Sequence, residues 1–531
     1  MFAFDCSMFV FKHQRWDRHR FRGPKFGVSS PMAQTSRKLL DMFIIGGGIN
    51  GAGIANDAAG RGLTVGLCEQ GDLAGATSSA SSKLIHGGLR YLEHREFRLV
   101  GEALREREVL LRKAPHIIWP LRFILPHRSH LRPAWMIRAG LFLYDHLGKR
   151  KTLPGSRGVR FTGDSPLKPE LMRGFEYSDC WVDDARLVVL NALQAREGGA
   201  EILVRTRCTG AQEENGAWRI ELEDVRSGER FERHARTLVN AAGPWVEKVV
   251  REQAARPSRY AIRMIQGSHI VVPRLNADER AYILQNSDRR IVFVLPYEDD
   301  FSLIGTTDRH YRGDPRQAAI SEEETDYLLG VVNQHFRRQL DRRDVITSFS
   351  GVRPLCDDES ADPSAMTRDY TLALDDTGAP LLSVFGGKIT TYRKLAEAAL
   401  KQLAPALPGM GPSWTATAAL PGGDIDGQEP FMTRLLREYP WLGEARARRF
   451  ARSYGSLCLR FLEGAEGPDD LGEEFGGGLT AAEADYLIEH EWALDVEDIL
   501  WRRTKLGLRL TPRQVEALKR HTEKHRHGLA A

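Results

Sequence analysis

A glycine-rich turn between two apolar strands constrains the fold of this chain more than any other feature. The apolar run 42–45 predicts a buried parallel strand, and the turn GGGING follows at residues 46–51. Gly46 permits a tight turn, Gly48 lets the backbone approach a pyrophosphate, and Gly51 lets the following helix pack on the strand. The amino end of that helix offers N–H groups and a positive dipole to phosphates. The pattern predicts a dinucleotide-binding unit.

An acidic residue narrows the choice of dinucleotide. Glu69 ends the second predicted strand, 21 residues after Gly48. A carboxylate at this position accepts hydrogen bonds from ribose hydroxyls and repels a 2′-phosphate. NAD or FAD therefore fits better than NADP. Because glycine-rich turns are common, the prediction depends on the flanking strands and on Glu69.

Composition sets the class of protein. A length of 531 residues predicts two or three domains, and 42% hydrophobic with 27% charged residues is typical of a soluble globular chain. The net charge of +4 gives no reason to expect nucleic acid as a partner. The six cysteines form no C-x-x-C pair, which argues against a disulfide framework or a zinc site, and we expect no metal. Transmembrane helices are not expected, since no stretch of about 18 apolar residues occurs.

Residues 1–40 differ from the rest of the chain. They hold eight Lys or Arg against two Asp and lack the long apolar stretch of a secretory signal. We expect a disordered basic extension, or an upstream start codon included in error, because Met32 begins a natural lead into the first strand. An Arg-rich organellar transit peptide is the alternative.

Patterns farther along the chain predict its organisation. Residues 71–90 form a loop rich in small residues, and a period of two from about 259 to 310 predicts an antiparallel sheet. After the Pro/Gly stretch 405–423 the pattern is helical. We therefore expect interleaved cofactor-binding and substrate domains over 41–410 and a C-terminal helical domain over 411–531.

Two later segments return to the nucleotide. Residues 237–245 predict a short strand that ends in small residues, where backbone would pass close to a dinucleotide; an ordinary strand-to-helix turn explains them equally well. Residues 381–392 predict a strand, a glycine turn and a helix. The helix amino end and Lys388 would stabilise negative charge on a reduced flavin. A core closed by distant parts of the chain is common in flavoproteins.

Taken together, several motifs resemble the FAD-dependent glycerol-3-phosphate dehydrogenase family of aerobic respiration. They lie at residues 44–53, 81–91, 174–186, 267–269, 305–308, 350–354 and 385–393. The resemblance covers roughly residues 41–525 and implies the α/β fold of the D-amino-acid-oxidase class: an FAD-binding Rossmann-like domain, an interleaved antiparallel-sheet substrate domain and C-terminal helices. No D-x-[DN]-x-[DN]-G calcium loop follows residue 500, so the chain resembles the bacterial form.

The resemblance also implies an activity and a cofactor site. The reaction is oxidation of sn-glycerol 3-phosphate to dihydroxyacetone phosphate, with electrons passed to a membrane quinone. The residues expected to bind FAD lie in the glycine turn, at the end of the second predicted strand, in the small-residue loop and in the two later segments. They are Gly46, Gly48, Asn50, Gly51, Glu69, Thr77, Ser78, Ser82, Lys83, Leu84, His86, Gly87, Gly88, Ala242, Gly243, Trp245, Gly386, Gly387, Lys388, Thr390 and Thr391.

The expected catalytic residues follow from the chemistry and from the resemblance. Planar guanidinium groups suit the substrate phosphate, and the resemblance points to Arg353 and Arg368; alone, each is also explained as a surface or salt-bridged arginine. Arg90 would stabilise an alkoxide at C2. His269 would take the hydroxyl proton while hydride leaves C2 for flavin N5. A core histidine is the alternative for His269, and His86 is the alternative base. Lys388 completes the set.

A quinone acceptor directs attention to the segment 119–150. Aromatic residues such as Trp119, Trp135 and Phe142 are interleaved there with basic residues such as Arg138. This pattern is typical of helices that lie in the headgroup region of a membrane, and a core helix pair with a solvated basic face is the alternative. We expect a cytoplasmic protein, peripherally attached to the inner face of the cell membrane.

Three other functions fit the same sequence less well. A glycerol-3-phosphate oxidase would use O₂ as acceptor, a nucleic-acid-binding flavoprotein would need a concentrated basic face, and a non-catalytic FAD-binding module would not react. The sequence leaves open the oligomeric state, a homodimer included, the identity of the quinone and any covalent attachment of the flavin.

Overall fold

The structure is a computed structural model of the chain. It describes residues 38–128, 133–148, 151–286, 288, 290–356 and 370–530, with side chains as far as residue 526. The predictions for the basic tail up to residue 37, for Arg368 and for parts of the segment 119–150 concern residues outside this description. The first strand begins at Leu39, inside the segment 1–40 that was expected to be a tail.

The strands of the described residues are β1 (Leu39–Ile45), β2 (Val65–Glu69), β3 (Leu84–Ile85), β4 (Ile118–Pro126), β5 (Arg157–Arg160), β6 (Arg173–Val182), β7 (Glu201–Val204), β8 (Thr206–Glu214), β9 (Ala217–Asp224), β10 (Arg230–Asn240), β11 (Ile262–Pro273), β12 (Ala281–Gln285), β13 (Ile291–Tyr297), β14 (Phe301–Gly305), β15 (Arg309–His310), β16 (Thr347–Cys356), β17 (Tyr370–Asp375), β18 (Leu381–Gly386), β19 (Glu474–Gly476) and β20 (Leu479–Thr480).

The helices are α1 (Ile49–Gly60), α2 (Phe97–Lys113), α3 (Ala134–Leu147), α4 (Asp184–Glu197), α5 (Val246–Lys248), α6 (Glu322–His335), α7 (Tyr392–Leu403), α8 (Gln428–Glu438), α9 (Glu444–Ser453), α10 (Leu459–Leu462), α11 (Ala481–Glu491) and α12 (Pro512–Ala530).

The first sheet contains the predicted dinucleotide-binding unit. Its strands β18, β10, β1, β2 and β7 lie side by side and run parallel, β17 joins β18 antiparallel, and β9 turns back on β10. Met42 and Ile44 of β1 pack with α1 and α7, whereas Phe43 and Ile45 pack with β8 and β9. Since both faces of β1 are covered, its side chains are apolar in succession, as expected of a buried parallel strand.

The second sheet is mainly antiparallel and packs between helices. Its strands lie in the order β15, β11, β14, β13, β12, β4, β6, β3, and β16 pairs along the length of β11. Side chains of one face pack on α6, and those of the other face pack on α2 and α3. The antiparallel sheet predicted near residues 259–310 is therefore present, and it extends to distant strands.

The C-terminal helices share an apolar core with the cofactor-binding part of the chain. The same cluster of buried side chains includes Leu187 and Val188 of α4, Leu435 of α8, Phe450 of α9 and Leu487 of α11. The boundary at 410/411 stays a prediction, and the structure adds that the two parts are joined through this cluster.

The expectation of interfacial helices over 119–150 is wrong for the first part of that segment. Residues 118–126 form strand β4, in which Leu121 and Phe123 face α2 and α3 while Ile124 faces α6. This alternation is the period of two that favours a strand. Trp119 packs against Trp181, with ring centroids 5.8 Å apart. Among the described helices, none has both the length and the apolar character needed to cross a bilayer.

Candidate active site

The glycine turn at residues 46–51 leaves open space at the amino end of α1. Gly46 has a φ of +114°, and a Cβ there would lie 2.5 Å from the carbonyl oxygen of Ala241. A Cβ on Gly51 would overlap the Gly46 carbonyl oxygen. At Gly48, in contrast, a Cβ would meet only Ser78 Oγ among the described atoms within 4 Å, at 3.2 Å. Open space beside helix N–H groups is what a pyrophosphate requires.

Glu69 and Asn50 each keep a hydrogen-bond acceptor that a bound dinucleotide could use. Glu69 Oε2 accepts a hydrogen bond from the Gly47 N–H (2.7 Å), and Oε1 accepts one from the Gly71 N–H (2.8 Å). Each carboxylate oxygen retains a second lone pair that can accept from a ribose hydroxyl. Asn50 Nδ2 donates to the Gly386 carbonyl (3.1 Å), while its Oδ1 is buried and has no partner among the described residues. A buried acceptor without a partner fits a site that a bound cofactor completes.

The small-residue loop is fixed at several points around this space. Thr77 Oγ1 donates to the Val352 carbonyl of β16 (2.6 Å), and Ser78 Oγ accepts from the Ile49 N–H (3.0 Å). Lys83 Nζ pairs with Asp184 Oδ1 at 2.6 Å, so its ammonium group holds the loop on α4.

The following turn, residues 84–91, is held by β6 and α3. Leu84 pairs with Trp181 of β6, and the Gly87 N–H donates to Tyr144 Oη of α3 (2.7 Å). Gly88 has a φ of +75°, and a Cβ there would overlap the Tyr91 ring.

The two later segments close the same site. Ala242, Gly243 and Trp245 follow β10, whereas Gly386 ends β18 and Gly387 follows it. Both strands are parallel to β1, so these turns share the carboxyl edge of the first sheet with the glycine turn. Ligands of open α/β sheets bind at this edge.

Lys388 and the threonines after it face the turn at residues 84–91. The His86 N–H donates to Thr390 Oγ1 (3.3 Å), and the Lys388 ammonium lies 3.9 Å from the centroid of the Tyr91 ring. Thr391 is buried at the start of α7. Half-buried Arg90 precedes Tyr91 in the same turn of 3-10 helix. The turn at residues 84–91, the cofactor loop, thus carries Arg90 next to the aromatic ring that Lys388 contacts.

His269 lies on β11, buried between the loop and β16. Its Nε2 is 2.9 Å from Ser82 Oγ, and its ring stacks on Phe349 with centroids 4.9 Å apart. A Cβ on Gly305 of the adjacent strand would overlap the imidazole ring, so glycine makes room for it. Burial, together with the charges of Arg353 and Lys83, lowers the pKa of His269 to about 3. The imidazole is therefore neutral at neutral pH, and its Nδ1 has no partner among the described residues.

Arg353 reaches across from β16 toward the same place. In the register of the two strands it pairs with Ile265 of β11. A Cβ on Gly267 would overlap the Arg353 guanidinium, which therefore crosses β11 at a glycine. Its Nη2 donates to Thr306 Oγ1 (3.0 Å), and its Nη1 pairs with Asp308. The structure thus brings Arg353, His269 and Ser82 together, and Arg368 lies outside the described residues.

Two acidic residues of this site were absent from the sequence predictions. Asp308, which pairs with Arg353, lies in the motif 305–308, to which no role was given. Glu324 of α6 is buried and accepts hydrogen bonds from Ser268 Oγ (3.0 Å) and Thr307 Oγ1 (2.5 Å). The pattern Ser-x-x-Glu at 321–324 indicates a helix start, and the capping box is present. The Ser-x-x-Glu pattern does not reveal that the Glu324 carboxylate also accepts a hydrogen bond from Ser268 of β11.

Chemically, the site combines a dinucleotide cradle, a neutral buried imidazole and a guanidinium fork on neighbouring strands. A neutral imidazole can accept a proton, and a guanidinium fork can bind a phosphate through two parallel hydrogen bonds. The arrangement suits a small phosphorylated alcohol held beside a redox cofactor.

Comparisons with known proteins agree with this geometry. Residues 41–393 match the model of the FAD-dependent oxidoreductase family, and residues 413–525 match the C-terminal domain of alpha-glycerophosphate oxidase. The chain is 64% identical to the glycerol-3-phosphate dehydrogenase of Pseudomonas aeruginosa over 92% of its length and 94% of that protein's length. It is 54% identical to the D-erythritol 1-phosphate dehydrogenase of Brucella abortus, over 89% of this chain and 95% of the relative.

A solved structure supports the fold and the cofactor. The crystal structure of glycerol-3-phosphate dehydrogenase from Bacillus halodurans, complexed with FAD, superimposes with a TM-score of 0.72 and 28% identity, over 92% of this chain and 95% of that one. The predicted D-amino-acid-oxidase class of fold is confirmed, and so is FAD as the cofactor. The chain is a member of the FAD-dependent glycerol-3-phosphate dehydrogenase family of the bacterial type.

Proposed function

We propose that this protein oxidises sn-glycerol 3-phosphate to dihydroxyacetone phosphate and passes the electrons to a quinone in the membrane on which it lies. The observation that carries the substrate assignment is that neutral, buried His269 of β11 lies close enough to the Arg353 guanidinium of β16 for that charge to lower its pKa. The 64% identical relative named glycerol-3-phosphate dehydrogenase supports it.

Arg353 is the proposed phosphate ligand among the described residues. Its guanidinium is paired with Asp308 and Thr306, which fix the orientation of its fork. A phosphate dianion would add to this arrangement through charge-assisted hydrogen bonds. We retain Arg368, which the resemblance indicates, as a second proposed ligand.

His269 is the proposed base. Ser82 Oγ at its Nε2 and the Phe349 ring against its face hold the imidazole in one orientation. Bound FAD supplies the acceptor for the hydride that leaves C2 of the substrate. His269 takes the hydroxyl proton, and Arg90 and Lys388 contribute positive charge near the oxygen that loses it.

Helix α3 is the proposed membrane contact and places the bilayer near the cofactor loop. Trp135 and Phe142 are 73% and 56% exposed, while Tyr144 on the opposite face is buried and bonds to Gly87 of the loop. Apolar side chains on the outer face suit an interfacial helix. A quinone held in the bilayer would then approach the flavin from this side, on the inner face of the cell membrane.

Anaerobic stopped-flow absorbance tests the activity. Glycerol 3-phosphate should bleach the flavin, and D-erythritol 1-phosphate should bleach it with a second-order rate constant of flavin reduction that is at least about tenfold lower. The reverse preference would assign the chain to the activity named for the Brucella relative. Oxygen uptake measured beside reduction of a quinone analogue decides the acceptor: faster turnover with O₂ would make the protein an oxidase.

A further inference from the structure

We propose that Asp485, His521 and His525 form a binding site for a divalent transition-metal ion such as Zn²⁺, which fastens the last helix to the body of the protein. The three residues lie on α11 and α12, in the C-terminal part of the chain. The sequence analysis expected no metal, because Asp485 lies 36 and 40 residues from the two histidines and the three residues form no local motif.

The spacing of the ligands places them on facing helix surfaces. His521 and His525 are separated by four residues on α12, so their side chains project from one face. Asp485 and Glu489 have the same separation on α11, which packs against α12. The two pairs of side chains therefore face each other where α11 contacts α12.

The ligand atoms of this cluster converge on one point. Asp485 Oδ1 lies 2.7 Å from His521 Nε2 and 3.0 Å from His525 Nδ1. One ligand atom from each of the three residues lies within 4.8 Å of the others. In a tetrahedral site with metal–ligand distances of about 2.0–2.1 Å, neighbouring ligand atoms are about 3.3 Å apart. For the ion to enter, the two contacts of Asp485 would lengthen by about 0.3–0.6 Å.

Glu489 supplies the support that metal-bound histidines need. Its Oε1 lies 3.1 Å from His525 Nε2, the ring nitrogen that does not face Asp485. A carboxylate at this position receives the second N–H of the imidazole and fixes Nδ1 as the ligand atom. The ring of His521 packs against Phe475, with centroids 5.1 Å apart, which limits its rotation.

The ligand set selects a class of ion. Two imidazoles and one carboxylate suit Zn²⁺, Co²⁺ or Ni²⁺ better than Ca²⁺ or Mg²⁺, which prefer oxygen ligands alone. The side chains are between 22% and 31% exposed, so an ion and a completing water molecule can reach them from solvent. The competing interpretation is an interhelix ion pair, in which protonated histidines contact the two carboxylates.

Metal titration of the untagged FAD-containing protein tests the proposal. After treatment with EDTA and dialysis, calorimetric titration with Zn²⁺ should reveal a binding site in the wild type. In the double variant His521→Ala/His525→Ala, the affinity for Zn²⁺ should be at least about a hundredfold lower. Asp485→Asn keeps the shape of the side chain and should weaken binding. Glu489→Gln should weaken it about 10- to 100-fold, as loss of an orienting carboxylate does.

A matched control and a spectroscopic probe complete the test. His234→Ala removes a histidine of β10, away from α11 and α12, and should leave Zn²⁺ binding unchanged. Co²⁺ should give intense visible bands of a four-coordinate ion in the wild type and in His234→Ala, but not in the double variant. Equal Zn²⁺ affinity in the wild type and the double variant, or no Zn²⁺ binding in the wild type, would overturn the proposal and leave the ion pair.

Discussion

At the scale of single residues, three glycines of the glycine turn at residues 46–51 serve different purposes. Gly46 and Gly51 are required by the protein itself, since a Cβ at either position would meet backbone. Gly48 borders space that the protein leaves empty of its own atoms. Substitutions of these glycines therefore have separable effects on folding and on cofactor binding.

Gly48→Val should give a folded protein that purifies without flavin, because the added methyl groups occupy the position of the pyrophosphate. Gly46→Val is the matched comparison and should fail to accumulate as folded protein, since its φ of +114° suits glycine. Absorbance at the flavin bands and circular dichroism measure the two effects. Stoichiometric flavin in Gly48→Val would mean that the cofactor lies elsewhere.

Arg353→Lys keeps the charge beside Gly267 but loses the planar fork. We expect the KM for glycerol 3-phosphate to rise about tenfold or more, equivalent to at least about 1.4 kcal/mol. Arg343→Lys provides the control, because Arg343 is exposed and precedes β16 in the chain. Steady-state kinetics with a dye acceptor measure both variants, and an unchanged KM in Arg353→Lys would remove this residue from the phosphate site.

His269→Asn should retain flavin and lose the base. The rate of flavin reduction at saturating substrate should fall roughly a hundredfold, as expected when a positioned general base is removed. Rapid-mixing absorbance measures the rate. If reduction stayed fast, the proton would go to His86 or to solvent.

The same variant should alter the response of stability to acid. The pKa of His269 in the folded protein, about 3, lies below the value of about 6.5 in the unfolded chain. The unfolded chain therefore binds the additional proton between these values, so this stabilising contribution is present above about pH 6.5 and is lost as the pH falls toward 3. The drop in melting temperature between pH 6.5 and 4.5 should be smaller in His269→Asn than in the wild type. An equal drop would show that His269 is charged in the folded state.

At the scale of elements, helix α3 has two faces with different partners. Ile137, Leu141 and Tyr144 are buried against the second sheet, whereas Trp135 and Phe142, seven residues apart, lie outward. This division separates the residues that support the cofactor loop from those available to a membrane.

The double variant Trp135→Ser/Phe142→Ser should shift the protein from vesicles to the soluble fraction. Each aromatic side chain contributes about 1.5–3 kcal/mol when fully buried in apolar surroundings, and salt does not screen this gain. Turnover with a water-soluble dye should persist while quinone reduction in vesicles drops. Val225→Ser, an exposed apolar residue after β9, is the control. Unchanged sedimentation of the double variant would place the membrane contact elsewhere.

Local patterns predicted the elements better than their assembly. The buried run of β1, the turn at residues 46–51 and the helices α7, α11 and α12 followed from periodicity, because each depends on neighbours in sequence. Strand β4 was misinterpreted, since aromatic residues in a period of two resemble an interfacial pattern when only composition is considered. The proximity of Arg353 to His269 depends on the register between β11 and β16, which are separated by 73 residues of chain. No local pattern sets that register.

At the scale of the whole molecule, buried charges join the C-terminal helices to the cofactor-binding part. Arg186 of α4 and Glu491 of α11 are fully buried and form a two-bonded pair, with Nη2 donating to Oε1 at 3.0 Å. Arg503 likewise donates to both oxygens of Asp72, at 2.7 and 2.8 Å. Removing one partner of such a pair strongly destabilises the folded protein, because the other charge stays buried without its counter-ion.

Glu491→Gln leaves the charge of Arg186 buried without its counter-ion. We expect a loss of about 3–5 kcal/mol in the free energy of unfolding and a lower melting temperature. Asp326→Asn, which breaks an exposed pair with Arg342, should change stability by less than about 1 kcal/mol. Thermal unfolding of the FAD-containing proteins compares the two, and similar small losses in both would mean that the buried pair is replaceable.

The apolar cluster that α4 shares with α8, α9 and α11 also bears on synthesis of the protein. Translation delivers α4 long before residues 428–530 emerge from the ribosome, and until then the apolar cluster that contains Leu187 and Val188 lacks its C-terminal members. Nascent chains stalled before residue 428 should therefore stay bound to chaperones, whereas chains extended past α11 should not. Crosslinking of chaperones to arrested nascent chains of graded length would locate the chain length at which the apolar cluster is covered.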